Sequence, residues 1–137
     1  IAAAATAERN AYQLTGDIND GMLRLLERAL SEGYRRIYIT SRGGEILPAR
    51  AMASMLNGSD ATIVARGQCH SSCAYLWLAT RSRALGERPN LALHASYNAH
   101  GINDYGERWL KEMGRSDLTV WARTRELHTL TSQELGL

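Results

Sequence analysis

The sequence predicts an α/β domain built on a mainly parallel sheet. Short apolar runs alternate with segments of helical periodicity, strand then helix, three times in succession. Glycines mark the junctions, at Gly16, Gly33, Gly43, Gly44, Gly58 and Gly67. No internal repeat, linker or low-complexity stretch interrupts this order, so residues 1–137 are expected to form one domain.

The elements follow in order. Residues 12–15 read as a short strand, followed by the polar turn Gly16-Asp17. Asp20 is a candidate cap for a helix over 21–30, with Met22, Leu25, Leu26 and Ala29 at helical spacing on one face. Gly33 ends it. Residues 36–40 alternate as a strand, Ile37 and Ile39 on one side and Tyr38 on the other. The turn Ser41-Arg42-Gly43-Gly44 leads to a helix over 47–56, with Pro48 in its first turn. Ala51, Met52, Met55 and Leu56 are expected to face inward, and Gly58 to close the helix.

The apolar run 61–65 is the next strand, and Gly67 is expected to break it. A third helix starts near Ser72; its apolar run 73–79 must be buried. Two short strands, 83–85 and 91–94, flank the turn 86–90. Helices are expected over 105–113 and 118–127, and a capped turn over 130–135.

Composition bounds the function. A chain of 137 residues that is 45% hydrophobic has enough apolar material for a core, which argues against disorder. The net charge of +2 is spread along the chain, so no nucleic-acid surface is expected. No apolar run approaches the roughly 20 residues of a bilayer span. The small apolar start, 1–5, reads as the remnant of a leader or export signal, or simply as an edge, and 1–10 as a flexible leader remnant. The two cysteines, Cys69 and Cys73, are too few for a closed zinc site, and no metal or cofactor is expected. In a reducing compartment they would be buried thiols or a redox pair; in an oxidising one, a disulfide.

In open α/β sheets, ligands bind at the carboxyl ends of strands. Two junctions there stand out. In Ser41-Arg42-Gly43-Gly44, consecutive glycines allow positive φ and outward N–H groups. In Gly67-Gln68-Cys69-His70-Ser71-Ser72-Cys73, a serine opens a buried helix whose first N–H groups are unpaired and carry positive partial charge. A serine so placed can attack a carbonyl while neighbouring N–H groups hold the oxyanion. Taken singly, each feature has an ordinary structural reading: a turn, an N-cap, a histidine at a strand end.

Their order resembles that of the ClpP-type serine proteases. Ile39-Thr40-Ser41-Arg42-Gly43-Gly44 is similar to the family's strand and Ser-Pro-Gly-Gly loop, with Arg42 in place of proline. Gly67-Gln68-Cys69-His70-Ser71 resembles its Gly-x-Ala-Ala-Ser turn. Leu91-Ala92-Leu93-His94 resembles the strand that delivers its histidine, and 130–137 its closing segment. Cys69-His70-Ser71-Ser72-Cys73 resembles the Cys-x-Ser-x-Cys turn of a periplasmic branch of these proteins.

The resemblance implies a ClpP/crotonase-like spiral of β-β-α units. It implies a serine hydrolase, a peptidase, with Ser71 as nucleophile, His94 as general base, and the N–H groups of Gly44 and Ser72 as oxyanion donors. Ser71 is preferred to Ser72 by its count from Gly67 and its place between the cysteines. The third member falls on Glu126, the nearest acid before the closing segment, ahead of Asp117 and Asp104. A Cys69–Cys73 disulfide fits one helical turn, with Cα atoms about 6 Å apart. It would pin the nucleophile turn and imply a periplasmic or secreted bacterial protein. The implied partners are a peptide or protein substrate and a homo-oligomer, although the short segment after His94 argues against the family's double ring. A catalytically incomplete module, a crotonase-type acyl-CoA enzyme and a redox role for the cysteines are the alternatives.

Overall fold

The structure is a computed structural model that describes residues 11–137. The leader reading of 1–10 lies outside the described residues.

Strands β1 (Ala11–Thr15), β2 (Arg36–Ser41) and β3 (Thr62–His70) pair in parallel in that order. Helices α1 (Asp20–Ser31) and α2 (Ile46–Asn57) make the crossovers between them. Beyond β3, strand β4 (Arg83–Leu85) pairs with residues 63–65 of β3, and β5 (Asn90–Leu93) with residues 68–70, both in parallel. Helix α3 (Ser72–Ala79) runs between β3 and β4. A short hairpin follows His94, formed by β6 (Tyr97–Asn98) and β7 (Gly101–Ile102). Then come α4 (Tyr105–Glu112), a 3-10 segment (Ser116–Ala122) and β8 (His128–Thr129), which pairs antiparallel with β5.

The core is one cluster. Leu14, Ile37, Ile39 and Ile63 from the sheet pack against Met22 and Leu26 of α1, Met52 and Leu56 of α2, and Leu76 of α3, all buried. Helix α3 is buried on every side from Ser72 to Leu78, as its unbroken apolar run requires. Its one phenol, Tyr75, stacks on Trp109 of α4 and donates its hydroxyl to the His94 carbonyl at 2.9 Å. A buried tyrosine needs such a partner.

Several sequence expectations change. Asn19, not Asp20, caps α1, accepting from Met22 N–H at 3.0 Å. Leu25 is exposed, because the buried stripe of α1 is narrower than the apolar one. In α2, Pro48, Ala49 and Ala53 are buried with Met52 and Leu56, whereas Ala51 and Met55 are only half-buried. Gly67 does not end β3. At φ 64° it bends the strand, and the register with β2 shifts from Ile39↔Ala65 to Ser41↔Cys69. This is how a glycine bulge re-aims a strand without stopping it. The second half of β3 then finds a new neighbour in β5.

The helix expected over 118–127 is absent. Thr119 bonds back to the Ser116 carbonyl at 2.8 Å, and Thr119 and Val120 are β-branched. The chain tightens into a 3-10 turn and leaves as β8, where pairing with β5 outweighs weak helix propensity.

Gly106, at the start of α4, lies against Tyr75: a Cβ there would sit 2.5 Å from the phenol oxygen and 2.7 Å from the adjacent ring carbon. Gly106→Ala is therefore expected to cost about 1–3 kcal/mol by overpacking. Urea unfolding monitored by circular dichroism checks this through a lower midpoint at unchanged slope.

Candidate functional site

The carboxyl ends of β2, β3 and β5 meet at a cavity of about 510 Å³. Its lining includes Gly43, Gly44, Ser71, Ser72, His94 and Tyr97. Each reaches it for a local reason.

The Gly43-Gly44 turn is threaded between two backbones. Ile18 N–H donates to the Gly43 carbonyl at 2.9 Å, and Glu45 N–H donates to the Ile18 carbonyl at 2.8 Å. A Cβ on Gly44 would lie 2.2 Å from the Ile18 oxygen, and one on Gly43 2.8 Å from the His70 oxygen and from Ser71 Cβ. Both residues also hold positive φ, 110° and 150°. No other residue type fits either place. The buried Ser41 hydroxyl accepts the Gly43 N–H at 3.0 Å, which leaves the Gly44 N–H without a partner among the described residues.

Ser71 sits between β3 and α3 at φ 56°, ψ −124°. That conformation is strained for a residue with a Cβ, at about 1–3 kcal/mol. Three constraints hold it. Its N–H donates to the Ala92 carbonyl at 2.8 Å, and its carbonyl accepts from Tyr75 N–H at 3.1 Å. The flanking Cys69 and Cys73 are joined in a disulfide, with Cα atoms 5.0 Å apart. Such a sharp strand-to-helix turn lifts a serine hydroxyl clear of the sheet.

The two serines differ plainly. Ser72 is buried, and its hydroxyl is committed to the Gly44 carbonyl at 2.8 Å, which ties the glycine turn to the start of α3. The Ser71 hydroxyl is bonded by none of the described residues. The Ser72 N–H, in the first turn of α3, is likewise unpaired among them. The cavity thus brings together a free hydroxyl, a histidine and two unpaired backbone N–H groups.

His94 follows directly on β5. Its carbonyl is held by Tyr75, and the next N–H, of Ala95, donates to the Thr124 carbonyl at 2.6 Å. Its ring is half-buried beside Tyr97, with centroids 5.7 Å apart. Burial lowers the His94 pKa below the ordinary histidine value, opposed by the acceptor that the Ala95 backbone offers to the protonated ring and reinforced by His70. The Nδ1 atom is buried and has no hydrogen-bond partner among the described residues.

The expected third member is not brought to that atom. Glu126 is exposed and borders a separate shallow pocket with Trp121, Thr124, Leu127 and His128. The bends at 123–126 leave its side chain in solvent. From the same segment, Arg125 lies over the Tyr97 ring, 4.9 Å from its centroid. Asp117 pairs with Arg115, and Asp104 with Arg108.

Sequence reasoning passed over Ser41, Tyr75 and Asp17. Asp17 lines the cavity and holds Arg42 by two hydrogen bonds, 2.9 and 3.3 Å, at the exposed rim. The Arg42 guanidinium lowers the Asp17 pKa. Tyr75 was the most legible of these, as a phenol in an apolar helix.

No family model matches the chain, and no curated protein matches it. Solved structures do. The chain is similar to ClpP1 from Listeria monocytogenes, with a TM-score of 0.67 and 16% identity, over 98% of this chain and 89% of that one. That likeness shows the fold: an α/β spiral of the ClpP/crotonase type with a mainly parallel sheet.

Both sulfur atoms belong to buried residues. Native protein prepared from an oxidising compartment is expected to take up no iodoacetamide, and to take up two equivalents per chain after unfolding and reduction. Mass spectrometry reads the difference; free thiols in the unfolded, unreduced protein would disprove the bridge.

Proposed function

We propose that the protein is a serine hydrolase acting on peptides, with Ser71 as nucleophile and His94 as its base. The observation that carries this reading is the division of labour between the adjacent serines. Ser72 spends its hydroxyl on the Gly44 carbonyl, while Ser71 keeps its hydroxyl free in a strained turn that shares a cavity with His94.

Neutral His94 accepts the Ser71 proton as Oγ attacks the substrate carbonyl carbon. The carbonyl oxygen becomes an oxyanion, which the Gly44 and Ser72 N–H groups stabilise; loss of one such donor costs about 100- to 1000-fold in rate. Protonated His94 then gives its proton to the leaving amine, and the C–N bond breaks. Water, deprotonated by His94, releases the acyl group and restores Ser71. The reading uses a Ser/His dyad, since no carboxylate bonds His94 among the described residues. The disulfide beside the nucleophile supports a periplasmic or secreted location.

The unpartnered Nδ1 favours a second reading, a ClpP-like module whose site is incomplete and which binds without turnover.

A fluorophosphonate probe separates the two. Labelling is expected in the wild type and in Ser72→Ala, and not in Ser71→Ala. Folded wild-type protein that stays unlabelled between pH 6 and 9 decides for the binding module.

The pH dependence follows from the lowered His94 pKa. A base works only when neutral, so a lowered pKa extends activity to lower pH. The acid limb of kcat/KM is expected below 6.5, the ordinary histidine value. Stability has the same sign: the fold favours neutral His94, so this contribution is full above about pH 6.5 and is lost as pH falls toward the folded-state value. An acid limb above 6.5 would contradict the burial of the ring.

A further inference from the structure

We infer that Glu134, in the closing turn, is the positioning residue that sets where His94 lies. This rests on the hydrolase reading only in naming His94 as a base; the packing stands without it.

Among the described residues no carboxylate orients His94 as one usually orients a catalytic histidine, so its place depends on its backbone. That backbone is held on both sides by one stretch of chain, 124–130. Before His94, Leu93 pairs with His128 and Ala92 with Thr129, and Leu130 N–H donates to the Leu91 carbonyl at 2.8 Å. After it, Ala95 N–H donates to the Thr124 carbonyl. β8 is only two residues long, too short to hold a register by its own ladder.

Glu134 supplies the anchor. Its Oε1 accepts from Thr131 N–H at 2.9 Å and meets His128 Nε2 at 2.9 Å. Its Oε2 accepts from the Trp121 indole N–H at 3.0 Å. Thr131 returns the bond, its hydroxyl accepting the Glu134 N–H at 3.1 Å, which makes a reciprocal capping box. Arg115 donates to the Glu134 carbonyl at 2.7 Å. The indole of Trp121 stacks flat on His128, with centroids 3.6 Å apart.

One carboxylate therefore joins the 3-10 segment, β8 and the closing turn. His128, held by it from the side chain, is the residue directly opposite Leu93. Both side chains are mostly buried, at 23% and 20% exposure. Removing the carboxylate frees β8, and with it the strand end that carries His94.

The test compares Glu134→Ala and Glu134→Gln with Glu126→Gln, an acid in the same stretch that makes none of these contacts. The His94 imidazole is titrated by NMR, its signal assigned through His94→Gln, and labelling of Ser71 by the fluorophosphonate is timed. In folded Glu134→Ala the His94 midpoint is expected to rise toward 6.5 as the ring loses its burial, and labelling to slow about 100-fold, the scale of a base displaced by about 1 Å. Glu134→Gln, which leaves one of the N–H donors without an acceptor, is expected to shift both in the same direction by less. Glu126→Gln is expected to shift neither.

A wild-type His94 midpoint in folded Glu134→Ala overturns the inference. If that variant does not fold, a wild-type midpoint in Glu134→Gln overturns it. Thermal unfolding is followed alongside, because a merely structural role would lower the melting temperature and leave the His94 midpoint in place. The titration needs no turnover. Failure of the wild type to label therefore counts against the hydrolase reading alone, and an unmoved midpoint against Glu134 alone.

Discussion

The hydrogen bond from Ser71 N–H to the Ala92 carbonyl is the contact on which the rest of the site depends. It joins the end of β3 to the strand that carries His94 two residues later. A serine at φ 56° would relax if it were free to do so. It is not free, because the hydrogen bond fixes its nitrogen, α3 fixes its carbonyl, and the Cys69–Cys73 bridge fixes the chain on both sides. A loop this small removes little entropy from the unfolded chain, so the bridge acts on local geometry more than on global stability. The strain stays where the hydroxyl is presented.

The glycine turn answers to the same constraint. Gly43 must lack a Cβ because the Ser71 turn occupies the space, and Gly44 because Ile18 does. Ser72 closes the remaining gap by donating to the Gly44 carbonyl. Each of the two unpaired N–H groups thus belongs to a residue locked by the other's element. Preorganised donors of this kind need no rearrangement when charge develops.

Much of this was legible in the sequence. Strands and helices up to α3 lie close to their expected bounds, except that β3 continues past Gly67 to His70. The candidate residues Ser71, His94, Gly44 and Ser72 line one cavity, since a parallel sheet brings its carboxyl ends together whatever the loops contain. What was not legible is non-local. Nothing in Gly67 itself says whether it ends a strand or bends it; the answer lies in β5, more than twenty residues on. Glu126 was singled out only as the nearest acid before the closing segment, and position along the chain does not say which way the side chain faces; here it is exposed. The hairpin at 97–102 has no apolar alternation to announce it.

The lost helix and the unpartnered His94 Nδ1 have one physical origin. Once residues 128–129 join the sheet, the chain before them passes beside the His94 backbone through the bends at 123–126. It then offers a carbonyl, from Thr124, to the neighbouring Ala95 N–H, and a guanidinium, from Arg125, to the Tyr97 ring. Neither is an anion. In the proposed hydrolase, the imidazolium formed during acyl transfer would be stabilised less than in a full triad, while neutral imidazole persists to lower pH because burial disfavours its charge. The same strand pairing that withholds a carboxylate from the ring holds the ring's backbone in place. Orientation here comes from main-chain bonds on both sides of His94 rather than from a side-chain partner, which makes the closing segment part of the site's geometry although none of its residues lines the cavity.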